Sequence, residues 1–236
     1  MTRRLGILGG TFDPIHCGHI DLALAAEQAL RLDRILVVTS NMPPHRHQPF
    51  ASAYHRFAMT AIAVAGRRAW RASDIELRGG SYSYTSHTLR RFQERGYAPR
   101  DLFFIIGADA FLEIGAWYEY PAVLDLAHFV VVSRPGYPSA DVPRKLTALA
   151  GRMTRSPFEG TDRAEPRIFL LDATTADVSS TAIRQRRGAG LSIAGLVPPG
   201  VHQHIEQHGL YTTFPPGRRA SDAPEGPAAG RMHGED

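Results

Sequence analysis

Short apolar runs alternate along this chain with segments whose apolar residues recur at helical spacing. Runs such as Leu5-Gly-Ile-Leu8 and Ile35-Leu-Val-Val38 have the length of strands and little polar character, which is typical of parallel strands buried on both faces. Strands are predicted at residues 5–8, 35–38, 72–77, 102–106, 128–132 and 168–171, and helices at 18–30, 52–65, 84–95, 180–187 and 199–208. This alternation predicts an α/β fold built on a doubly wound, Rossmann-like parallel sheet.

The length of 236 residues fits one α/β domain with insertions. We expect a single domain over residues 1–214 that ends in a small helical part. Residues 136–165 are polar and rich in Pro and Gly, so a surface insertion with one short helix near 142–153 is expected there. Residues 215–236 contain almost no large apolar side chain, and a disordered tail is expected.

The formal net charge is +4, but the basic residues are scattered rather than gathered in one stripe. Nucleic acid is therefore not the expected partner. Almost all of these residues are Arg, whose guanidinium group binds phosphate oxygens in pairs. The apolar runs are far shorter than the roughly 20 residues that span a bilayer, and Cys17 is the only cysteine. We therefore expect a cytoplasmic protein without a membrane partner.

The segment at residues 9–19, Gly-Gly-Thr-Phe-Asp-Pro-Ile-His-Cys-Gly-His, joins the first predicted strand to the first predicted helix. Glycine at this place lets the backbone approach a phosphate, which a Cβ atom would obstruct. His16 and His19 lie three residues apart, so both imidazoles can face one anion beside the positive end of the helix dipole. Two other interpretations stay open: a glycine turn with a capping histidine, or a metal site, although no third ligand stands out nearby.

A second segment, Val178-Ser-Ser-Thr-Ala-Ile-Arg184, places three hydroxyl groups at the start of a later helix and an arginine one turn further on. Helix capping alone would explain the hydroxyls. They can equally add hydrogen-bond donors to an anion at the helix N-terminus. Ligands of parallel α/β sheets lie beyond the carboxyl ends of the strands, so the loops at residues 9–19, 40–46 and 107–109 are expected to face one crevice.

Taken together, the two segments resemble the HxGH and SSTxIR motifs of the nucleotidyltransferase superfamily, here His16-Cys-Gly-His19 and Ser179-Ser-Thr-Ala-Ile-Arg184. Four further stretches resemble the nicotinate-nucleotide adenylyltransferase branch of that superfamily. They are Pro43-Pro-His-Arg46, the run from Glu76 to Thr85, Gly107-Ala-Asp109 with Trp117, and Val197 to Val201 with Gly209-Leu-Tyr211. The matches extend from Ile7 to Tyr211 and leave out residues 136–165 and the tail.

The resemblance implies an enzyme that transfers the adenylyl group of ATP to nicotinate mononucleotide, giving deamido-NAD and pyrophosphate in NAD biosynthesis. The attacking phosphate has a second pKa near 6 and is mostly ionised at neutral pH, so no general base or nucleophilic side chain is assigned. Cys17 has no role in such a reaction, although the nearby helix N-terminus could lower its pKa. Mg²⁺ is expected to be held by the ATP phosphates and water, without a protein metal site. Whether the chain forms a homo-oligomer stays open.

The resemblance also implies roles for individual residues. The expected catalytic residues are His16, His19 and Arg184. The expected ATP-binding residues are Gly9, Gly10, Thr11, Phe12, Gly18, Gly107, Ser179, Ser180 and Thr181. The expected mononucleotide-binding residues are Asn41, Arg46, Thr85, Asp109, Trp117 and Tyr118. In this arrangement the Trp117 ring would cover the pyridinium ring, Asp109 would accept from a ribose hydroxyl, and backbone amides near Thr85 and Tyr118 would bind the nicotinate carboxylate.

The chain departs from the family pattern at two positions. His87 stands where the family usually has Asp, which puts an acidic role at that position in doubt, and Tyr120 stands where Trp is common. Three alternatives to the nicotinate enzyme remain. They are an adenylyltransferase for nicotinamide mononucleotide or for both mononucleotides, a phosphopantetheine adenylyltransferase, and a module that binds ATP without turnover. The stretches around Thr85 and Asp109 disfavour the phosphopantetheine enzyme, and the intact histidine motif disfavours the module.

Overall fold

Residues 4–42, 48–79, 82–156 and 165–214 are described by the computed structural model of the chain. Seven parallel strands form one sheet in the order β3-β2-β1-β4-β5-β7-β6. Their bounds are Leu5–Gly10 (β1), Arg34–Thr39 (β2), Trp70–Ser73 (β3), Leu102–Gly107 (β4), His128–Val132 (β5), Met153–Thr154 (β6) and Ile168–Leu171 (β7). The predicted fold class is confirmed. The strand order reverses between β1 and β4, and a ligand crevice of such a sheet lies beyond the carboxyl ends of these two strands.

Seven α-helices accompany the strands within the described ranges. Their bounds are Cys17–Leu30 (α1), Ala53–Val64 (α2), Thr85–Gln93 (α3), Ala108–Phe111 (α4), Val142–Lys145 (α5), Ser180–Gly188 (α6) and Pro199–Gln207 (α7). Ser52 caps α2 as predicted, because its hydroxyl accepts from the backbone N–H of His55. None of the helices described here combines the length and the apolar character that crossing a membrane would require.

The core consists of two apolar layers, one on each face of the sheet. Side chains of β4 alternate between them: Phe103 and Ile105 belong to the layer that includes α1, α2, α6 and α7. Phe104 and Ile106 belong to the layer that includes α3, α4 and α5. Strands that are apolar on both faces are buried between helices, so the central strands hold their loops on a rigid support.

Most predicted elements agree with the structure to within two residues at each end, and three segments differ in extent or type. Strand β3 ends at Ser73, whereas the prediction ran from 72 to 77, because the chain turns at Asp74, whose carbonyl accepts from the N–H of Leu77. The loop predicted at residues 107–109 is the beginning of the short helix α4. The helix predicted near residues 142–153 is α5 followed by a 3₁₀ helix over Thr147–Arg152.

Residues 136–165 were expected to form a surface insertion, and their described part is more closely built into the fold. Val142 is fully buried in the core layer beside α3 and α4. Met153 and Thr154 pair with Ile168 and Phe169 and thereby add the edge strand β6 to the sheet. The residues 157–164 and the tail at residues 215–236 lie outside the described residues.

Candidate active site

The loop that follows β1 is shaped by the packing of Phe12. The Phe12 side chain is 2% exposed, and its backbone has a positive φ of 50°. A Cβ atom on Gly10 would lie 2.7 Å from the Phe12 ring, so glycine is required there by the fold itself. The same ring meets His19 edge-on at 5.0 Å between centroids. The loop therefore sets the position of His19 at the carboxyl end of β1.

His16 and His19 lie side by side at the start of α1. Their rings stack with 3.7 Å between centroids and an interplanar angle of 25°. The backbone N–H of His16 donates to Nδ1 of His19 over 3.2 Å. This bond caps the helix and fixes the tautomer of His19, because a nitrogen that accepts cannot carry a proton. The proton of neutral His19 is then on Nε2.

His16 is the more buried of the two histidines, with 2% of its surface exposed. Burial, together with the positive charge of Arg134, lowers the pKa of His16 to about 3. Its Nδ1 atom is buried and makes no hydrogen bond within the described part of the chain. His16 is thus a neutral imidazole at physiological pH and can give one donor to a ligand. Among the described residues no third side chain forms a metal-ligating group with this pair.

The N-terminus of α6 is attached to the loop after β1. The hydroxyl of Ser180 donates to the carbonyl of Pro14 over 2.9 Å. One nitrogen of Arg184, Nη1, donates to the carbonyl of Asp13 over 2.6 Å, and Nη2 donates to the Thr181 hydroxyl over 3.1 Å. Ser179 caps α6 by accepting from the N–H of Ala182. The two segments that carry the recognised motifs, far apart in sequence, therefore meet at one edge of the sheet.

The guanidinium of Arg184 lies between two aromatic rings, 5.0 Å from the centroid of Phe50 and 5.2 Å from that of Phe214. Cation–π contacts of this kind hold the side chain in one orientation. Arg184 thus connects α6, the loop after β1 and the C-terminal segment. Its contact with ATP phosphates stays a prediction.

Asp13 is the anchor of the loop, and its carboxylate is fully engaged. Oδ2 accepts from the N–H of Phe50, and Oδ1 accepts from the N–H of Ala51 and from the hydroxyl of Tyr211 at 2.8 Å. Burial and the neighbouring carboxylate raise the pKa of Tyr211, so its hydroxyl keeps its proton. The C-terminal residues are thereby attached directly to the candidate active site.

Sequence reasoning missed Arg56, which joins two loops of the crevice. Its side chain is 1% exposed and donates to the carbonyls of Thr11 and Ser40 at 2.7 Å and to that of Asn41 at 3.1 Å. Burial lowers the pKa of Arg56, although the nearby Asp13 opposes this effect. A signal was present in the sequence, because Arg56 occupies a core position of α2, three residues before the buried Met59.

Arg134, just beyond β5, was also missed. A Cβ atom on Gly18 would lie 2.9 Å from Nη1 of Arg134, and one on Gly107 would lie 3.1 Å from its Cγ. The side chain therefore runs between the two glycines, and it donates to the carbonyl of Val178 over 3.0 Å. An arginine at the carboxyl end of a parallel strand lies on the ligand edge of the sheet, which is the signal that could have identified it.

The loop after β2 approaches the N-terminus of α3. The N–H of Asn41 donates to the Ser83 hydroxyl over 2.8 Å, and the N–H of Ser83 donates to the carbonyl of Met42. Thr85 is the first residue of α3, and the preceding Tyr84 provides no side-chain cap. The first N–H groups of α3 are consequently available to another acceptor.

Several aromatic residues, among them Tyr118 of the expected mononucleotide site, lie beside this helix start. The rings of Tyr84 and Tyr118 are 4.3 Å apart, and His87 contacts both of them edge-on. Trp117 packs edge-on against Phe104 of β4. The structure thus places Thr85, Trp117 and Tyr118 near one another at the carboxyl edge of the sheet.

Asp109 lies in the first turn of α4, directly beyond β4, and is partly exposed. Its Oδ1 atom lies close to the space that a side chain at position 107 would fill. Arg46, expected in the mononucleotide site with the Pro43-Pro-His segment, lies outside the described residues.

Cys17 differs from expectation in its acidity. Burial and the carboxylate of Asp21 raise the pKa of the Cys17 thiol, whereas the helix N-terminus suggested that it could be lowered. The thiol contacts the carbonyl of Gly195 at 3.5 Å. A thiol with these properties is a poor nucleophile at neutral pH.

Comparison with known proteins places this chain among nucleotide-transferring enzymes. The profile of the Cytidylyltransferase-like family matches residues 7–186. A protein of Desulfatibacillum aliphaticivorans named probable nicotinate-nucleotide adenylyltransferase is 41% identical over 217 residues, which cover 88% of this chain and 99% of the relative. A protein of Pectobacterium atrosepticum with the same name is 40% identical, with 86% and 96% covered.

Solved structures show the same fold. The nicotinic acid mononucleotide adenylyltransferase of Plasmodium falciparum in complex with NaAD superposes with a TM-score of 0.67 at 18% identity, covering 89% of this chain and 98% of that one. A structure of the same enzyme with APC gives a TM-score of 0.65 at 17% identity, with the same coverage.

Proposed function

Because the chain belongs to the Cytidylyltransferase-like family, and within it to the nicotinate-nucleotide adenylyltransferases, we propose that it transfers the adenylyl group of ATP to nicotinate mononucleotide. The products are deamido-NAD and pyrophosphate. The chain is then an enzyme of NAD biosynthesis.

The observation that carries this proposal is the convergence of two motif segments on one edge of the sheet. The stacked histidines lie at the start of α1, and the start of α6 is held beside the same loop through Pro14 and Asp13. Two helix N-termini, the neutral imidazole of His16, the ring of His19 and the cationic side chain of Arg134 thereby lie near one another. Such an arrangement favours a polyphosphate.

The reaction is an attack by a phosphate oxygen of the mononucleotide on the α-phosphorus of ATP. A new P–O bond forms there while the bond to pyrophosphate breaks, and pyrophosphate leaves with the electron pair. The nucleophile is already ionised at neutral pH. The protein therefore has to align the two substrates and stabilise the charge that develops on the phosphates.

His19 is the residue to which we assign most of this stabilisation. Its Nδ1 accepts from the His16 backbone, so the donor of a neutral His19 ring is Nε2, and we assign this donor to a phosphate oxygen. His16, held neutral by burial, adds a second donor from the same face. Arg184 positions α6 through its hydrogen bonds to Asp13 and Thr181, and it contributes positive charge.

Mg²⁺ enters this reaction with its substrate ATP, where it offsets phosphate charge. Asp13, an acidic residue of the loop before the histidine motif, already accepts three hydrogen bonds from protein groups. The donors that face the crevice are nitrogens, which suit phosphate rather than Mg²⁺. Phosphate oxygens and water are the ligands that fit the ion here.

The acceptor is assigned to the neighbouring part of the crevice, beyond β4 and at the start of α3. The uncapped N–H groups near Thr85 suit the nicotinate carboxylate, the Trp117 face suits the pyridinium ring, and Asp109 suits a ribose hydroxyl. Asn41 and Arg46 complete the proposed mononucleotide site.

Release of pyrophosphate tests the proposed function directly. The purified chain with MgATP should release pyrophosphate in a one-to-one ratio with a dinucleotide product when nicotinate mononucleotide is added. It should release none without an acceptor or with phosphopantetheine. Binding of ATP without turnover in the presence of either mononucleotide would identify an ATP-binding module and overturn the assignment.

A further inference from the structure

Three histidines from α2 and α7 come together outside the residues assigned to the crevice. His55 lies in the first turn of α2, His204 in the last turn of α7, and His208 directly after that helix. One ring nitrogen from each residue lies within 4.8 Å of the other two. His204 and His208 are four residues apart, so both project from one face of α7 towards His55.

The distances between these nitrogens fit coordination of one ion. Nδ1 of His55 and Nε2 of His204 are 3.2 Å apart. Two nitrogens bound to Zn²⁺ at about 2.0–2.1 Å with tetrahedral angles lie about 3.3–3.4 Å from each other. The observed pair is therefore already at ligand spacing. His208 is exposed, so its ring can rotate to bring the third nitrogen to that distance.

We propose that His55, His204 and His208 form a binding site for a divalent transition-metal ion, with water as the fourth ligand. Imidazole nitrogens suit Zn²⁺, Co²⁺, Ni²⁺ and Cu²⁺, whereas Mg²⁺ prefers oxygen ligands. The site is separate from the Mg²⁺ that ATP carries. The proposal departs from the expectation that the protein has no metal site. Residues 55 and 204 are too far apart in sequence for spacing to indicate such a cluster.

A hydrogen bond between His55 and His204 explains the approach of two rings but not that of the third. The His208 ring lies 4.9 Å from that of His55 and 4.4 Å from that of His204. One nitrogen of each ring thus lies close to the other two, as the ligands of a single ion would.

The bound ion would strengthen the support of the candidate active site. His55 immediately precedes Arg56, which holds the loops after β1 and β2. His208 is three residues before Tyr211, whose hydroxyl donates to Asp13. An ion at the three histidines would thus join α2 to the C-terminal segment and stabilise the folded state without taking part in the chemistry.

Binding of Zn²⁺ to the full chain after treatment with a chelator tests the proposal. Titration calorimetry should show one site that involves the cluster, and Zn²⁺ should raise the melting temperature. The exposed position makes His208→Ala a mild substitution, and it should weaken binding at least about 10-fold and abolish the thermal shift. The double variant His55→Gln, His208→Ala should lose the site.

His202→Ala is the matched control, because His202 lies on the same helix and pairs with Glu206 outside the cluster. This variant should bind Zn²⁺ as the unchanged chain does. Binding through His45, His47 or His233, which lie outside the described residues, would survive all of these substitutions. Equal Zn²⁺ affinity and equal thermal shift in the unchanged chain and in His208→Ala would overturn the proposal, as would the absence of binding by the unchanged chain.

Discussion

The two histidines of the motif, three residues apart, differ in what they contribute. His16 is buried and accepts no proton at physiological pH, whereas His19 is half-buried and directs Nε2 away from its capping bond. Each ring constrains the other through the stack. Their separate contributions can therefore be measured with substitutions that remove one property at a time.

His19→Asn should separate the catalytic contribution of His19 from its capping role. Asparagine can present an acceptor near the position of Nδ1 but has no donor at the position of Nε2. We expect kcat to fall by about 10²–10³, the usual loss for one donor to developing charge, with little change in melting temperature. His19→Ala should show the same loss of kcat and a further loss of stability of about 0.5–2 kcal/mol, because the cap is gone. A wild-type kcat for His19→Asn would remove His19 from the mechanism.

The pKa of His16 predicts how stability depends on pH. The folded-state pKa of about 3 lies below the ordinary value of 6.5, so the unfolded chain binds the extra proton between these values. The contribution of His16 to the free energy of unfolding is complete above pH 6.5 and is lost as pH falls towards 3. At pH 5 it should have decreased by about 2 kcal/mol.

Two measurements check this prediction. The ring-proton NMR signal of His16 should not shift between pH 8 and pH 5, and urea unfolding of His16→Asn should show a shallower decline of stability over that range. A His16 signal that titrates with a midpoint near 6.5 would contradict the account.

At the scale of elements, the loops of the crevice are held by α2 through one buried arginine. Arg56 donates to backbone carbonyls that no strand pairs with, in the loops after β1 and β2. These bonds explain why two loops from separate strands keep one relative position. The relative position of the two loops should therefore depend on Arg56, although the Arg56 side chain is buried.

Arg56→Met should reduce the free energy of unfolding by about 3–5 kcal/mol, because several buried carbonyls lose their charged partner. Arg78→Met is the control. Arg78 is largely exposed and pairs only with Asp74 among the described residues, so its removal should cost under about 1 kcal/mol. Urea denaturation of both variants measures the difference. Similar losses for the two would show that the Arg56 bonds do not support the fold.

The central elements could be predicted from sequence because their patterns are local. Strands such as β4 and β5 are continuous apolar runs, and the start of α2 is marked by Ser52. The two residues of β6 have no periodicity, and they form a strand only because β7 offers an unpaired edge. The bounds of β3 were wrong because a turn at Asp74 overrides the apolar residues that follow it.

Some residues of the candidate site could likewise be predicted from local sequence patterns, and others could not. The motif histidines and the hydroxyls before α6 are visible in sequence because their spacing is short. Arg134 acts between two glycines that precede it by 116 and 27 positions, which no local pattern reports. The cluster of His55, His204 and His208 likewise depends on the packing of α2 against α7.

For the molecule as a whole, the C-terminal residues up to Phe214 are part of the structure that supports the site. The Tyr211 hydroxyl donates a hydrogen bond to Asp13, and the Phe214 ring lies against Arg184 and Phe50. Residues 215–236 lie outside the described residues, and from their composition we expect that they do not offset the ordering cost of roughly 1–2 kcal/mol per residue. The two parts of the C-terminal region should therefore respond differently to removal.

A chain that ends at Phe214 should keep the melting temperature and kcat of the full chain. A chain that ends at Gly209 should lose both, because the Asp13 carboxylate loses its hydrogen bond from Tyr211 and Arg184 loses one of its two aromatic contacts, that with Phe214. Thermal unfolding and pyrophosphate release measure the two effects. Loss of activity in the chain that ends at Phe214 would show that the tail contributes to the enzyme.

The central claim is that the crevice binds a mononucleotide that carries a carboxylate, and the ratio of kcat/KM for the acid and amide mononucleotides tests it most directly. The first N–H groups of α3 have no side-chain cap and can bind a carboxylate through charge-assisted bonds. An amide would turn its own NH₂ group towards an N–H, which costs about 1–3 kcal/mol for each group left unsatisfied. We predict a preference for the acid of at least about 10-fold, and of more than about 10³-fold if two contacts fail. Thr85→Ser should keep most of it, because the donors belong to the backbone. Equal kcat/KM for the two mononucleotides would contradict the account and identify an enzyme of dual specificity.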